Sequence, residues 1–200
     1  MPKITIVKDK PLIEDIFDYD IIIVGTGIHN ALGNGFQYDV KINFPFVEET
    51  VKKTPYADIR KLGTVTVVNS KPIFCIGFIH KGAYRKDLNP VYLDYQALND
   101  VLTLIDNNFE NKRIATSFIG CSQYDGSGEK EKVLDIFSGL SEKNEYIIYD
   151  YEQRDYREVH NEEWAKIQSL VGKIPYSDLR KLKDDFINKR KYGIYNAKTL

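Results

Sequence analysis

The chain has 200 residues and a mass of 23.1 kDa, which suits one ordinary domain with room for a short appendage. Apolar residues make up 42% and charged residues 28%, a balance that excludes intrinsic disorder. The net charge of −1 and the two cysteines exclude a strongly basic nucleic-acid or membrane binder, a disulfide framework and a zinc site.

Six strands are predicted from short apolar runs. They cover Ile4–Val7, Ile21–Gly25, Gly63–Val68, Pro72–Ile79, Arg113–Phe118 and Glu145–Tyr151. The second run does not alternate between apolar and polar residues, so we expect it to be buried on both faces of a sheet.

Helices are predicted between the strands. Apolar residues spaced i, i+3, i+4, i+7 indicate one helix at Leu98–Ile105 and another at Val133–Leu140. A shorter helix over about Phe36–Asn43 should stop before Pro45. Strands that alternate with helices predict an α/β sheet covered on both faces, with ligands at the carboxyl ends of the strands.

The strand pattern ends near residue 152, and two helical stripes separated by Gly172 and Pro175 follow. Residues 153–200 hold 11 basic and 7 acidic side chains, whereas residues 1–152 hold 17 and 22. We therefore expect a weakly acidic α/β domain at 1–152 and a basic helical extension at 153–200. The similar segments 55–62 and 175–182 are interpreted as two helix starts with proline in the first turn. The alternative is that the tail mimics or competes with the first segment.

The longest apolar run is too short to span a bilayer, and residues 1–20 contain no apolar core of a signal peptide. We expect a cytoplasmic protein without membrane contact and without a cofactor. The abundance of lysine, isoleucine, tyrosine and asparagine indicates an AT-rich coding sequence, typical of a viral or low-GC bacterial source; a viral protein would act in the host cytoplasm.

A glycine-rich segment follows the second strand and precedes a helix. Because glycines let the backbone approach a phosphate and a helix start offers unbonded N–H groups, this segment indicates an anion-binding loop. A dinucleotide fingerprint would need glycine at Asn30, so a Rossmann site is disfavoured; a tight turn without ligand stays an alternative. The candidate binding residues of the segment itself are Gly25, Gly27, His29 and Asn30.

A second loop of small residues follows the fifth strand and also leads into a helix, from Ile119 to Gly128. Two such loops at one sheet edge are suited to hold a diphosphate between them.

Four short stretches occur in an order that resembles the macrodomain, an α/β fold that binds ADP-ribose. They are Leu32–Phe36 with Phe44-Pro45, Leu62–Val65, Tyr92–Leu98 and Ile119–Cys121. The similarity covers about residues 3–152 and is closest to the subgroup of terminal ADP-ribose glycohydrolases and ADP-ribose-1″-phosphate phosphatases. The resemblance implies a three-layer α/β/α mixed sheet, to which the short helical extension is appended.

The resemblance also implies roles for individual residues. The first loop should lie against the distal ribose and the second around the diphosphate; the residues concerned are Gly33, Asn34, Gly35, Phe36, Gly120, Cys121, Ser122, Gly126, Ser127 and Gly128. Lys81 and Asp125 stand at or near the positions of a catalytic lysine and a general base. The lysine would act either as a nucleophile on the distal ribose C1″ or as an electrostatic partner of the opened sugar. Asp9 or Asp20 would take the place of the adenine-contacting aspartate, although neither matches that motif cleanly.

The expected function is therefore the binding of ADP-ribose or a related nucleotide, with an ADP-ribosylated protein as a further partner and nucleic acid disfavoured. Hydrolysis of an ADP-ribosyl linkage or of the 1″-phosphate would be an added step. The alternative is a degenerate macrodomain that serves as a non-catalytic nucleotide-binding or protein-interaction module, because Gly27 stands where the family has asparagine and Ser122–Tyr124 interrupt its second glycine run.

Overall fold

One mixed sheet of six strands, in the order β1-β6-β5-β2-β4-β3, organises the chain. The computed structural model describes residues 2–33, 35–81, 93–122 and 128–151, together with residues 165–167, 169–170, 173–175, 178 and 180–182. The strands are β1 (Lys3–Lys8), β2 (Ile21–Gly27), β3 (Val65–Val68), β4 (Ile73–His80), β5 (Arg113–Ser117) and β6 (Glu145–Asp150). All neighbouring strands run parallel except β3, which pairs antiparallel with β4.

Four α-helices cover the two faces of the sheet. They are α1 (Gly35–Asn43), α2 (Pro45–Lys52), α3 (Tyr95–Asn108) and α4 (Lys130–Ser138). Successive residues of a strand point to opposite faces, and the core divides accordingly. Ile22 and Val24 pack in the cluster that contains α1 and α2, whereas Ile21 and Ile23 pack in the cluster that contains α3 and α4. The expected α/β sheet covered on both faces is confirmed.

Helix α2 was not expected from the sequence. Pro45 does end the preceding helix, but it also occupies the first turn of α2, where its missing N–H has no helical partner to lose. Val47 and Val51, one turn apart, are both completely buried and anchor this helix on the sheet. The proline therefore separates two helices and does not simply end one.

The described residues of the α/β part also form three short 3-10 helices: Leu12–Glu14, Ile16–Asp18 and Ile59–Lys61. The third corrects the interpretation of residues 55–62 as a helix start with proline in its first turn. Asp58 is the N-cap there and its side chain accepts the amide of Arg60, while Pro55 lies outside the turn.

The chain separates into two compact units, Met1–Gln153 and Arg154–Leu200. Within the second unit, Ile167 is buried against Leu170 and Ile174. In the part of the chain that the structure describes, no helix is both long enough and apolar enough to cross a membrane.

Candidate functional site

Strands β2 and β5 pair only at their beginnings. Their ladder consists of Ile21 opposite Ile114 and Ile22 opposite Ala115; beyond it, the Thr116 hydroxyl donates to the carbonyl of Ile23 at 3.1 Å. The chain leaves β2 for α1 on one face and leaves β5 for α4 on the other. The carboxyl ends of β2 and β5 thus form a topological switch point, the usual place of a ligand crevice in open α/β sheets.

The loop between β2 and α1 is tightly folded at the switch point. The Thr26 hydroxyl donates to the carbonyl of Ala31 at 2.8 Å, and the amide of Asn30 donates to the carbonyl of Gly27 at 3.2 Å. Gly35 opens α1 with a φ of 53°, a conformation that favours glycine. Gly33 is exposed, and no atom of the described residues lies within 4 Å of the position that its Cβ would take. Gly33 therefore faces open space; Asn34, between these two glycines, lies outside the described residues.

Asn30 is buried, and its side chain is bonded to the protein itself. Its Nδ2 donates to the carbonyl of Thr54 at 2.8 Å, and its Oδ1 accepts from the Thr54 hydroxyl and from Lys61 Nζ. These bonds use Oδ1 and one N–H of Nδ2 within the protein, and ligand binding by Asn30 stays a prediction. His29, the neighbouring candidate, is half-buried and packs edge-on against Tyr56 at 5.4 Å between ring centroids.

Two further candidates of the first loop have packing roles in the structure. A Cβ on Gly25 would lie 2.6 Å from Ile79 Cδ1 and 2.7 Å from Ile119 Cγ1, so only glycine fits between β4 and the loop after β5. Phe36 is 8% exposed and belongs to the core beneath α1. Gly25 and Phe36 thus pack within the protein, and their contact with a ligand stays a prediction. Gly27 lies at the half-buried end of β2.

The loop between β5 and α4 is closed at its base. The amide of Gly128 donates to the carbonyl of Gly120 at 2.9 Å, and the amide of Cys121 donates to the carbonyl of Phe118 at 3.0 Å. Gly120 has a φ of 71°, and a Cβ there would lie 2.7 Å from Leu93 Cδ1. The structure thus brings Gly120, Cys121, Ser122 and Gly128 to the switch point, and the expected residues Asp125, Gly126 and Ser127 lie outside the described residues.

Lys81 follows β4 at the same edge of the sheet. Its Nζ lies 2.6 Å from Asp94 Oδ2, and Asp94 Oδ1 accepts the amide of Ala97 as the N-cap of α3. Burial would raise the pKa of Asp94, but the bonds from Lys81 and from the Ala97 amide outweigh it and hold that pKa below its ordinary value. Lys81 is thus held beside the N-cap of α3.

Asp20 lies at the opposite end of the strands, where β2 begins. It precedes β2, and its carboxylate accepts the amide of Arg113 at 2.9 Å. The strand carries the chain about 23 Å from Asp20 to Gly27 at roughly 3.3 Å per residue. The structure therefore does not bring Asp20 to the switch point, whereas Asp9 lies at the carboxyl end of β1, with a φ of 58°.

Leu93 and Tyr95, two residues that sequence reasoning missed, shape the site from the start of α3. Leu93 is 5% exposed, and its methyl carbons lie where a Cβ on Gly120 or on Gly128 would meet them. Tyr95 Oη accepts a hydrogen bond from the amide of Glu129 at 2.8 Å. An isolated leucine carries no signal for such a role. Among the described residues, no group of histidine, cysteine, aspartate or glutamate side chains is arranged to hold a metal ion.

No protein-family model matches the chain, and no curated protein matches it. Solved structures do. The macrodomain of Mycobacterium tuberculosis DarG is 16% identical with a TM-score of 0.58, over 76% of this chain and 100% of that one. A macrodomain protein from Streptomyces coelicolor is 15% identical with a TM-score of 0.53, over 74% and 99%. Thermosipho africanus DarTG in complex with ADP-ribose is 13% identical with a TM-score of 0.54, over 77% of this chain and 43% of that one. The α/β part of this chain thus has the macrodomain fold.

Proposed function

We propose that this protein binds ADP-ribose at the switch point, between the β2–α1 loop and the β5–α4 loop. The observation that carries the proposal is the early end of the β2–β5 ladder beneath two loops that each lead to a helix N-terminus. The complex of the Thermosipho africanus protein with ADP-ribose supports the choice of ligand.

Backbone amides are the groups best suited to hold the diphosphate here. Residues 1–152 have more acidic than basic side chains, and the lysines near the start of α4 are already paired: Lys130 with Asp150 at 2.5 Å and Lys132 with Glu129 at 2.6 Å. A helix N-terminus attracts an anion without any cationic side chain. The proposal therefore assigns the phosphates to the amides of the two loops and to the first turns of α1 and α4.

Gly33→Leu tests the location of the ligand. Gly33 is exposed and no atom of the described residues lies within 4 Å of its Cβ position. We therefore expect the folded protein to accommodate the leucine, and its side chain to occupy space proposed for ADP-ribose. We expect calorimetric titration to show at least a tenfold weaker Kd for ADP-ribose than in the wild type, with an unchanged melting temperature. Gly139→Ala, where the nearest atom is 3.4 Å from the new Cβ, is the matched control and should bind like the wild type. Equal affinity in Gly33→Leu contradicts the location.

We further propose that the bound ADP-ribosyl group is hydrolysed, with Lys81 and Asp125 as catalytic residues. The favouring observation is that Lys81 stands at the carboxyl end of β4, which pairs with β2 beside the proposed site. Asp125 would take a proton from water as its oxygen attacks the distal ribose C1″ or the 1″-phosphorus; the leaving group departs with its electron pair, and the Lys81 ammonium stabilises the developing negative charge.

Release of ADP-ribose from an ADP-ribosylated protein, and of phosphate from ADP-ribose-1″-phosphate, measures this step. Asp125→Ala should abolish turnover while ADP-ribose still binds. Turnover equal to the wild type in that variant removes the mechanism. Binding without turnover in the wild type supports the alternative, a non-catalytic nucleotide-binding module.

A further inference from the structure

Lys61 is a buried lysine whose ammonium faces neutral oxygens. It closes the 3-10 helix Ile59–Lys61 and is 7% exposed. Its Nζ donates to Pro55 O at 2.7 Å, to Thr54 Oγ1 at 3.0 Å and to Asn30 Oδ1. The three contacts use all three N–H donors of an ammonium, and the same atom lies 4.2 Å from the centre of the Phe78 ring.

Burial of this charge opposes folding. Desolvation lowers the pKa of Lys61, and the field of Asp58, the N-cap of this short helix, opposes that shift only in part. Buried charges without a charged hydrogen-bond partner are rare because removing them from water costs free energy. A protein with a well-packed apolar side chain in such a place is often at least as stable. The ammonium therefore calls for an explanation other than stability, and the residues that it contacts supply one.

Those residues belong to the proposed ligand loop and to the segment beside it. Asn30 has a φ of 59°, a left-handed conformation that a non-glycine residue adopts at some cost. Its side chain joins the loop to Thr54, and the amide of Ala57 adds a second link by donating to the carbonyl of Ile28 at 3.0 Å. Lys61 binds Asn30 and Thr54, the two sides of this junction. Asn30 lies three residues before Gly33 in the loop.

We propose that Lys61 is a positioning residue of the β2–α1 loop: its ammonium holds Asn30, and through Asn30 the loop backbone, in the geometry that binds ADP-ribose. The inference rests on the proposed ADP-ribose binding and names the group that prepares the loop for it. Lys61 itself does not touch the ligand, because its donors are all used within the protein.

Lys61→Met separates positioning from stability. Methionine fills a similar volume and leaves no charge unpaired, since the acceptors are neutral. We expect calorimetry to show at least a tenfold weaker Kd for ADP-ribose, with a melting temperature within a few degrees of the wild type. Lys53→Met, which changes an exposed lysine at the end of α2, is the control and should leave the Kd unchanged. A Kd in Lys61→Met within twofold of the wild type overturns the inference. Absence of ADP-ribose binding in the wild type overturns the proposed function as well, so the two failures are distinct.

A pH profile gives a second test that a merely structural role would not satisfy. The charged group acting on Lys61 is Asp58, while the elements packed against its ammonium contribute the neutral groups Asn30, Thr54 and Phe78. Affinity for ADP-ribose in the wild type should weaken as rising pH removes the Lys61 proton. Asn30→Asp sets a carboxylate against the ammonium and favours its protonated form, so the weakening should move upward by about one pH unit or more. A midpoint that does not move, or affinity that is flat to pH 10.5 in the wild type, contradicts the inference.

Discussion

Leu93 holds the second loop in place although it has no polar group. Its methyl carbons pack against Gly120 and Gly128, where a Cβ would overlap them. Its backbone forms an isolated antiparallel β-bridge with His80 at the end of β4. Gly120 has a left-handed φ of 71° in addition. Two independent constraints, backbone conformation and contact with Leu93, therefore require glycine at position 120.

Gly120→Ala should destabilise the protein by about 1–3 kcal/mol, because an alanine adds both left-handed strain and a Cβ that overlaps Leu93. Urea denaturation measures the free energy of unfolding. Gly139→Ala, at a glycine with ordinary φ and room for a methyl group, is the control and should change that free energy by less than about 1 kcal/mol. Equal losses in the two variants would refute the assignment.

The sequence predicts which residues lie in the site better than it predicts their contacts. Glycines after a buried strand could be identified, and Gly33, Gly120 and Gly128 do lie at the switch point. Asn30 also lies in the loop, but its side-chain partners could not be predicted, since Lys61 and Thr54 approach it from 24 or more positions along the chain. Long-range partners of this kind leave no local sequence pattern.

At the scale of elements, α3 connects the site to the core. Asp94 begins the helix as its N-cap and binds Lys81, while Leu98 and Val101 bury its apolar face. The spacing of those apolar residues predicted the helix correctly. Helix α2 was missed because Pro45 both ends α1 and begins α2. The sequence alone does not show whether a helix continues after such a proline.

Asp94→Ala should cost more stability than Lys81→Ala. The first change removes the N-cap bond to the Ala97 amide, worth about 1 kcal/mol, together with the ion pair. The second removes only a pair whose lysine is 62% exposed, worth at most about 1 kcal/mol. Thermal unfolding of the two single variants and the double variant gives the coupling; a larger loss from Lys81→Ala would contradict the N-cap role of Asp94.

For the whole molecule, the near-zero net charge results from an acidic α/β part and a basic tail. Several acidic side chains of the α/β part are already bonded inside the fold. Asp106 accepts bonds from Tyr146 Oη at 2.6 Å, from Ser141 N at 3.0 Å and from Asn144 Nδ2 at 3.2 Å. Burial would raise the pKa of Asp106, yet these bonds outweigh it and lower the pKa below its ordinary value.

A carboxyl group with a lowered pKa stabilises the fold above its ordinary pKa near 4, and that stabilisation disappears as pH falls through the lowered value. The free energy of unfolding should therefore decrease as pH falls from about 5 to 2. Asp106→Asn should flatten this dependence, whereas Asp135→Asn, an exposed carboxylate on α4, should leave it unchanged. Denaturant titrations across that pH range provide the measurement, and parallel curves for Asp106→Asn and the wild type would contradict the prediction.

The most direct test of the account is amide NMR of the full chain during titration with ADP-ribose. We predict that the largest shifts occur in two segments at the carboxyl ends of the strands, residues 27–35 and 118–128. The amides of residues 19–20 and 143–146, where β2 and β6 begin, should not move. Shifts confined to that opposite edge, or no shifts at millimolar ADP-ribose, would contradict the central claim that the macrodomain fold of this chain binds ADP-ribose between its two glycine-rich loops.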